Sequence, residues 1–176
     1  MPSPQEPYRL HETITRLKDN SEVLIRPIKE EDAKWLLTMF TTLSPETVYN
    51  RFFKLRRPFT SEEVAKMVSL NTEEEFALIG SPIATSDLNI ISDARYYVEE
   101  KTKAEVSIVV HDKWRLKGLG TAMLRNLIEI GKEKGIRDFY IYVLSDNAVM
   151  IHVAKKLGFK LISQSYGISR LDLVIE

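Results

Sequence analysis

The sequence predicts one mixed α/β domain, a largely antiparallel sheet flanked by helices. Three observations predict it. Helix-spaced apolar stripes and caps dominate the first third, β-rich runs separated by turns fill the middle, and strands alternate with helices towards the end. The last pattern calls for at least one βαβ crossover, since a helix between neighbouring strands brings the chain back to run parallel.

Residues 1–20 carry Pro2, Pro4 and Pro7 with little apolar periodicity and read as an N-terminal arm, leaving residues 21–176 as the domain. A short strand begins at Glu22 and stops at Pro27, which has no N–H for a ladder. A helix follows from about Glu30, with Ala33, Leu36, Leu37 and Phe40 on one face and Glu30, Glu31 and Asp32 at the positive end of its dipole. Ser44-Pro45 starts a second helix, with serine at the cap and proline at the first position. Thr60 and Glu63 form a capping box, stapled by Phe59 and Val64, for a third.

The runs Phe76 to Gly80, Leu88 to Val98 and Ala104 to Val110 then read as an antiparallel meander. A long helix spans about Lys117 to Lys134, its apolar face made by Leu119, Met123, Leu127 and Ile130, and Gly135 ends it. Phe139 to Leu144 is a buried strand and Asn147 to Leu157 a helix ended by Gly158. Phe159 to Ser163 and Leu171 to Ile175 are the last strands.

The 176 residues can bury roughly 70% of the surface their unfolded chain exposes, so the core needs no staples. Apolar residues at 44% and charged residues at 28% exclude a disordered or collagenous chain. Lys plus Arg and Asp plus Glu both number 25, so overall charge offers no attraction to nucleic acid or an anionic membrane, and neither is expected as a direct partner. The absence of cysteine excludes disulfides, thiolate metal sites and a cysteine nucleophile, and three scattered histidines argue against zinc; no metal is expected. Apolar runs fall far short of the roughly 20 residues that span a bilayer, and MPSPQEPYRLHETI has no apolar signal core, so the protein reads as cytoplasmic.

Chemistry concentrates in VSIVVHDKWRLKGLGTAML, residues 106–124: a strand, a loop with Arg115, Lys117, Gly118 and Gly120, then a helix whose first N–H groups lack intrahelical partners. Such a terminus binds anions, glycines let the backbone approach closely, and Arg115 and Lys117 add positive charge where a pyrophosphate would sit. A plain strand-to-helix turn fits the same glycines, and the bare Arg-x-x-Gly-x-Gly pattern arises by chance in roughly one chain in five of this size. A dinucleotide fingerprint fits less well, because the third glycine is missing.

This loop resembles the pyrophosphate-binding loop of the GNAT (Gcn5-related) N-acetyltransferases, with Arg115, Gly118 and Gly120 at its defining positions. SDNAVMIHVAKKLGF is similar to a second GNAT signature, a helix opening with asparagine (Asn147) and ending in Gly-Phe (Gly158, Phe159). Within the family, LSPETVYNRFF (43–53), ARYYVE (94–99) and AEVSIVVHDKWRLKGLGT (104–121) resemble the Pat-type protein lysine acetyltransferases. The resemblance implies a mostly antiparallel sheet of about six to seven strands with one splayed pair and flanking helices. It also implies acetyl-CoA as co-substrate, with backbone groups of Ile108, Val109 and Val110 on the pantetheine arm. Leu116, Lys117, Gly118, Leu119, Gly120 and Thr121 would lie around the pyrophosphate, and Asn147 near the pantetheine. Read without the family, Ile108 to Val110 are strand core and Asn147 is a helix N-cap.

The implied reaction is attack of an amine on a thioester. A lysine of pKa about 10.4 is neutral in roughly one molecule in 2,500 at pH 7, so a base must take its proton. The resemblance places Glu105 in that role; by alternation alone it is a solvent-facing strand residue. His111 is the rival base, or a solvated turn histidine beside Asp112, while His11 and His152 read as structural. Many GNAT enzymes carry a tyrosine acid four residues before the Gly-Phe glycine, where this chain has Ala154. The backbone N–H of Val110 would polarise the thioester carbonyl.

The implied acceptor is an exposed lysine on a protein, to which the acidic runs Glu73 to Glu75 and Glu99 to Glu100 add a possible attraction or simply a solvated face. A GNAT enzyme for a small-molecule amine and a non-catalytic acetyl-CoA sensor remain as alternatives.

Overall fold

The computed structural model describes residues 11–70 and 73–176. The chain first forms a hairpin of β1 (Thr13–Arg16) and β2 (Glu22–Pro27). β1 belongs to the segment read as an arm, of which residues 1–10 lie outside the described residues. TITR carries no buried stripe to announce a strand, and Ile14 is 60% exposed; backbone pairing to β2, from Thr13↔Ile25 to Arg16↔Glu22, makes it one.

A single 3₁₀ turn (Glu30–Asp32) leads into α1 (Ala33–Thr41). Asp32 is buried and takes both guanidinium nitrogens of Arg26 at 2.8 Å, which fixes the turn to β2. α2 (Pro45–Phe52) and α3 (Ser61–Val68) start at the expected caps: the Ser44 hydroxyl accepts the Thr47 N–H at 3.2 Å, and Thr60 and Glu63 make the reciprocal box at 3.2 and 2.8 Å.

The meander is β3 (Glu75–Pro82), β4 (Ser92–Glu100) and β5 (Lys103–Val110). β4 begins four residues after the expected Leu88; the Ser-Asp and Asn positions before it favour turns, although Leu88, Ile90 and Ile91 are still buried. α4 (Leu119–Glu133) starts two residues later than read, because Gly118 adopts φ +90° and serves as its N-cap. β6 (Asp138–Leu144), α5 (Ala148–Lys156), β7 (Lys160–Ser165) and β8 (Ile168–Val174) complete the chain. Both late helices end in Schellman turns. Gly135 and Gly158 take φ +92° and +98°, and the following N–H reaches back to Gly131 at 2.9 Å and to Ala154 at 3.1 Å. Phe159 is thereby delivered into the core at 3% exposure, a physical account of the Gly-Phe pair.

The eight strands among the described residues lie in the order β1-β2-β3-β4-β5-β6-β8-β7, one more than the upper expectation because of β1. Among the described residues only β5 and β6 pair in parallel, joined across α4. Their pairing is confined to Lys103↔Asp138, Ala104↔Phe139 and Glu105↔Tyr140, after which β5 runs on to Val110 and β6 to Leu144 apart from one another. This is the splay. One core lies between α4 and the sheet, around Val106, Met123, Leu127 and Phe139. The other lies under α1 and α3, around Leu36, Met39, Val64 and Ile79; it reaches β5 at Val109 and includes no residue of β6 to β8. Among the described residues no helix is long and apolar enough to cross a membrane, and no three His, Asp or Glu side chains gather as metal ligands.

Candidate active site

Alternation along β5 sends Ala104, Val106, Ile108 and Val110 towards α4 and Glu105, Ser107 and Val109 to the opposite face. Glu105 is therefore the last paired residue at the vertex of the splay, flanked on its own face by Tyr97 of β4 and Tyr140 of β6. Burial raises the Glu105 carboxyl above the ordinary glutamate range; Arg51 of α2 and Arg170 of β8 oppose that, and Glu99 reinforces it. The Tyr140 hydroxyl donates to Glu99 at 3.0 Å. Arg170 stacks on the Tyr140 ring at 4.3 Å and pairs with Asp172 at 2.7 and 3.0 Å. On this face Val109 of β5 is buried under the helical core, whereas β6 and β8 have no apolar layer over them, and Tyr142 is 38% exposed. Ser107, which sequence reasoning passed over, points the same way, its hydroxyl buried without a partner among the described residues.

The loop after β5 turns back towards α1 and α2. His111 is buried, not solvated as the sequence suggested. Its Nδ1 accepts the Lys113 N–H at 3.3 Å, so Nε2 carries the proton and donates to Thr42 Oγ1 at 3.2 Å. Burial lowers its pKa, so the ring is a neutral strut between β5 and α1. Leu116 takes φ +60° with its side chain 77% exposed, and Gly118 follows at φ +90°, so the backbone winds into the N-terminus of α4. The N–H groups of Leu119, Gly120 and Thr121 face that end without intrahelical partners. A Cβ at Gly120 would meet only Ile108 and Val110, both at an ordinary 3.8 Å, so the fold itself does not require glycine there.

The two cations expected to add positive charge at the loop each have a protein partner. Lys117 Nζ lies 2.8 Å from Asp19 in the β1–β2 turn and 4.8 Å from the Trp114 ring centre. Its hydrogen bond, with those from Ser21, holds Asp19 well below the usual carboxylate range. Arg115 donates to Thr47 Oγ1 and lies 3.9 Å from Asp112. Asn147 Oδ1 accepts the Met150 N–H at 3.1 Å, so it caps α5. Ala154 is completely buried in the α4-side core. Ile108, Val109 and Val110 line the open stretch of β5 beyond Glu105, one turn of chain from the loop.

Residues 34–159 match the acetyltransferase (GNAT) family model. The chain belongs to the GNAT acetyltransferase family. Acetyltransferase PA5475 of Pseudomonas aeruginosa is 24% identical over 147 residues, which cover 83% of this chain and 79% of that protein. Acetyltransferase Pat of Mycolicibacterium smegmatis is 27% identical over 82% of this chain, which spans only 43% of that longer protein. The crystal structure of the GNAT domain of S. lividans PAT superposes with a TM-score of 0.85 at 24% identity, covering 99% of both chains. As a GNAT enzyme the protein is an acetyl-CoA-dependent N-acetyltransferase, and its splayed β5–β6 pair and glycine-led α4 are the GNAT fold's features in this chain.

Proposed function

We propose that this GNAT enzyme moves the acetyl group of acetyl-CoA to the ε-amino group of a lysine in a protein. The carrying observation is the position of Glu105: a half-buried carboxylate with a raised pKa at the vertex of the splay, on the sheet face that β6 and β8 leave open. Backbone groups of Ile108, Val109 and Val110 hold the pantetheine arm along the free edge of β5. The pyrophosphate rests on the loop from Leu116 to Thr121, where unpaired N–H groups and the helix dipole favour it and Gly120 leaves room for close approach. Asn147 meets the pantetheine from the other side of the cleft while capping α5.

Glu105 takes a proton from the incoming lysine ammonium, directly or through water. The freed nitrogen attacks the thioester carbon, the carbonyl oxygen is met by the Val110 N–H, and the carbon–sulfur bond breaks while the nitrogen's surplus proton passes through water to the departing thiolate, leaving an amide and coenzyme A. With alanine at 154 the thiolate leaves unassisted from that side, which a thiol of pKa near 8.5 permits once water supplies the proton. The open face supports a protein acceptor over a small amine, since a metabolite site needs closing walls. The likeness to proteins named Pat supports the same choice.

The test is to incubate the protein and its Glu105→Gln variant with labelled acetyl-CoA and a soluble extract. Discrete protein bands labelled on lysine and lost in the variant are expected. Label confined to small molecules points to a metabolite amine, and no label despite intact binding points to a sensor; either overturns the proposal.

A further inference from the structure

The loop that begins acetyl-CoA binding also holds the helix that reaches the catalytic carboxylate, and one side chain makes the connection. Asp112, directly after His111, receives three hydrogen bonds from the start of α2. The Ser44 N–H lies 2.9 Å from Oδ2, and the hydroxyls of Ser44 and Thr47 lie 2.7 and 2.5 Å from Oδ1. Each hydroxyl has one proton, and both are committed to Asp112. Ser44 Oγ therefore accepts the Thr47 N–H, and Thr47 Oγ1 accepts from Arg115, which returns the chain of bonds to the cofactor loop. Burial pushes the Asp112 carboxyl up, but the Thr47, Ser44 and Arg115 interactions outweigh it and bring it down to about 2, so it is ionised throughout the working range.

Apart from these bonds, α2 is held by Val48 against the α1–α3 core and by the Phe52 ring, 6.2 Å from Phe40 and 5.1 Å from Phe59. Thr47 is its only buried residue, and the rest of its inner face is the part-buried pair Val48 and Phe52. Arg51 stands four residues after Thr47, hence on the same side of the helix, and from there acts on Glu105. We infer that Asp112 is a positioning residue that ties the acetyl-CoA loop to α2, so that loop and helix move as one and Arg51 is held against Glu105 on the acceptor side. The inference rests on the role proposed for Glu105. Coupling of this kind is reciprocal: acceptor bound against α2 strengthens acetyl-CoA binding by the same factor.

The experiment measures the pH dependence of kcat/KM for the acceptor in wild type, Asp112→Ala, Asp112→Asn, Arg51→Met and the Asp112→Ala/Arg51→Met double variant, with thermal midpoints and acetyl-CoA affinities in parallel. Glu105 is faced by Arg51 from α2, Tyr97 and Glu99 from β4, Tyr140 from β6 and Arg170 from β8. Of these, only Arg51 rides on α2. Asp112→Ala is expected to raise the acceptor KM ~10-fold or more and to move the acid limb to higher pH. Arg51→Met should move the limb alike, and the double variant no further. Asp112→Asn, which still accepts the Ser44 N–H, should fall between. A limb that stays in place in Asp112→Ala while activity drops, or shifts that add in the double variant, overturns the inference. If instead Glu105→Gln keeps the acid limb, the reading of Glu105 fails first, and the two failures are distinct.

Discussion

Gly120 and Gly118 look alike in the sequence but answer to different constraints. Gly118 needs its left-handed φ of +90° to cap α4, whereas Gly120 has ordinary space behind it, and in the proposed function its small size serves the approach of the pyrophosphate. Gly120→Ala is therefore expected to leave the thermal midpoint near wild type or above it while weakening acetyl-CoA by several-fold in calorimetry. An unchanged affinity would remove the pyrophosphate from that loop. Arg95 shows the opposite kind of residue. It is fully buried, forks onto Asp93 with both bonds at 2.8 Å, and takes the Met67 carbonyl at 2.6 Å, which ties β4 to α3. Arg95→Met strands the Asp93 carboxylate in the core and should cost about 3–5 kcal/mol in urea unfolding. A loss under 1 kcal/mol would mean that water reaches Asp93.

At the scale of elements, two helix starts do double work. Asn147 caps α5 through Oδ1 and, in the proposed function, offers its amide to the pantetheine. Asn147→Ser preserves a capping oxygen and should hold stability within a few tenths of a kcal/mol, whereas Asn147→Ala should lose about 1 kcal/mol. Both should weaken acetyl-CoA by about fivefold if the amide is a ligand, and full affinity in the serine variant would leave Asn147 a cap alone. At α2 the same logic carries acid sensitivity. Asp112 has a folded pKa depressed to about 2, below the unfolded value of 3.8, so its contribution to stability is complete above pH 4 and is lost as pH falls through the lower value. Acid titration by circular dichroism should show Asp112→Asn less sensitive than wild type between about pH 4 and 2; equal sensitivity would mean that the carboxylate gains nothing from its partners.

Across the whole molecule, the legible parts are those in which a local rule meets a burial pattern. The caps at Ser44, Thr60 and Asn147, the glycine stops at 135 and 158 and the strand Asp138–Leu144 all satisfy backbone and core at once, so residue type alone announces them. β1 was illegible because its strand is made by neighbouring backbone and not by side chains, and the start of β4 because buried residues outside a strand mimic one. In the proposed site, the glycine turn ahead of α4 was legible from spacing, whereas Glu105 was singled out by resemblance, alternation alone giving a solvent-facing strand residue. The engagement of Lys117 with Asp19, of Arg115 with Thr47 and of Asp112 with α2 was not, because each joins residues that the sequence separates widely. The splay makes these long-range ties matter: where β5 leaves β6, no ladder holds the cleft, and side chains from the loop and α2 set its shape.

The most direct measurement is the pH profile of kcat for wild type and Glu105→Gln, with acetyl-CoA affinity of both by calorimetry. The wild type should lose activity as pH falls through a pKa above the ordinary 4.5 of glutamate, because burial favours the protonated carboxyl. Glu105→Gln should lose that limb and on the order of 10² to 10⁴ in kcat while binding acetyl-CoA as wild type does. An identical limb and kcat in the variant would contradict the account at its centre.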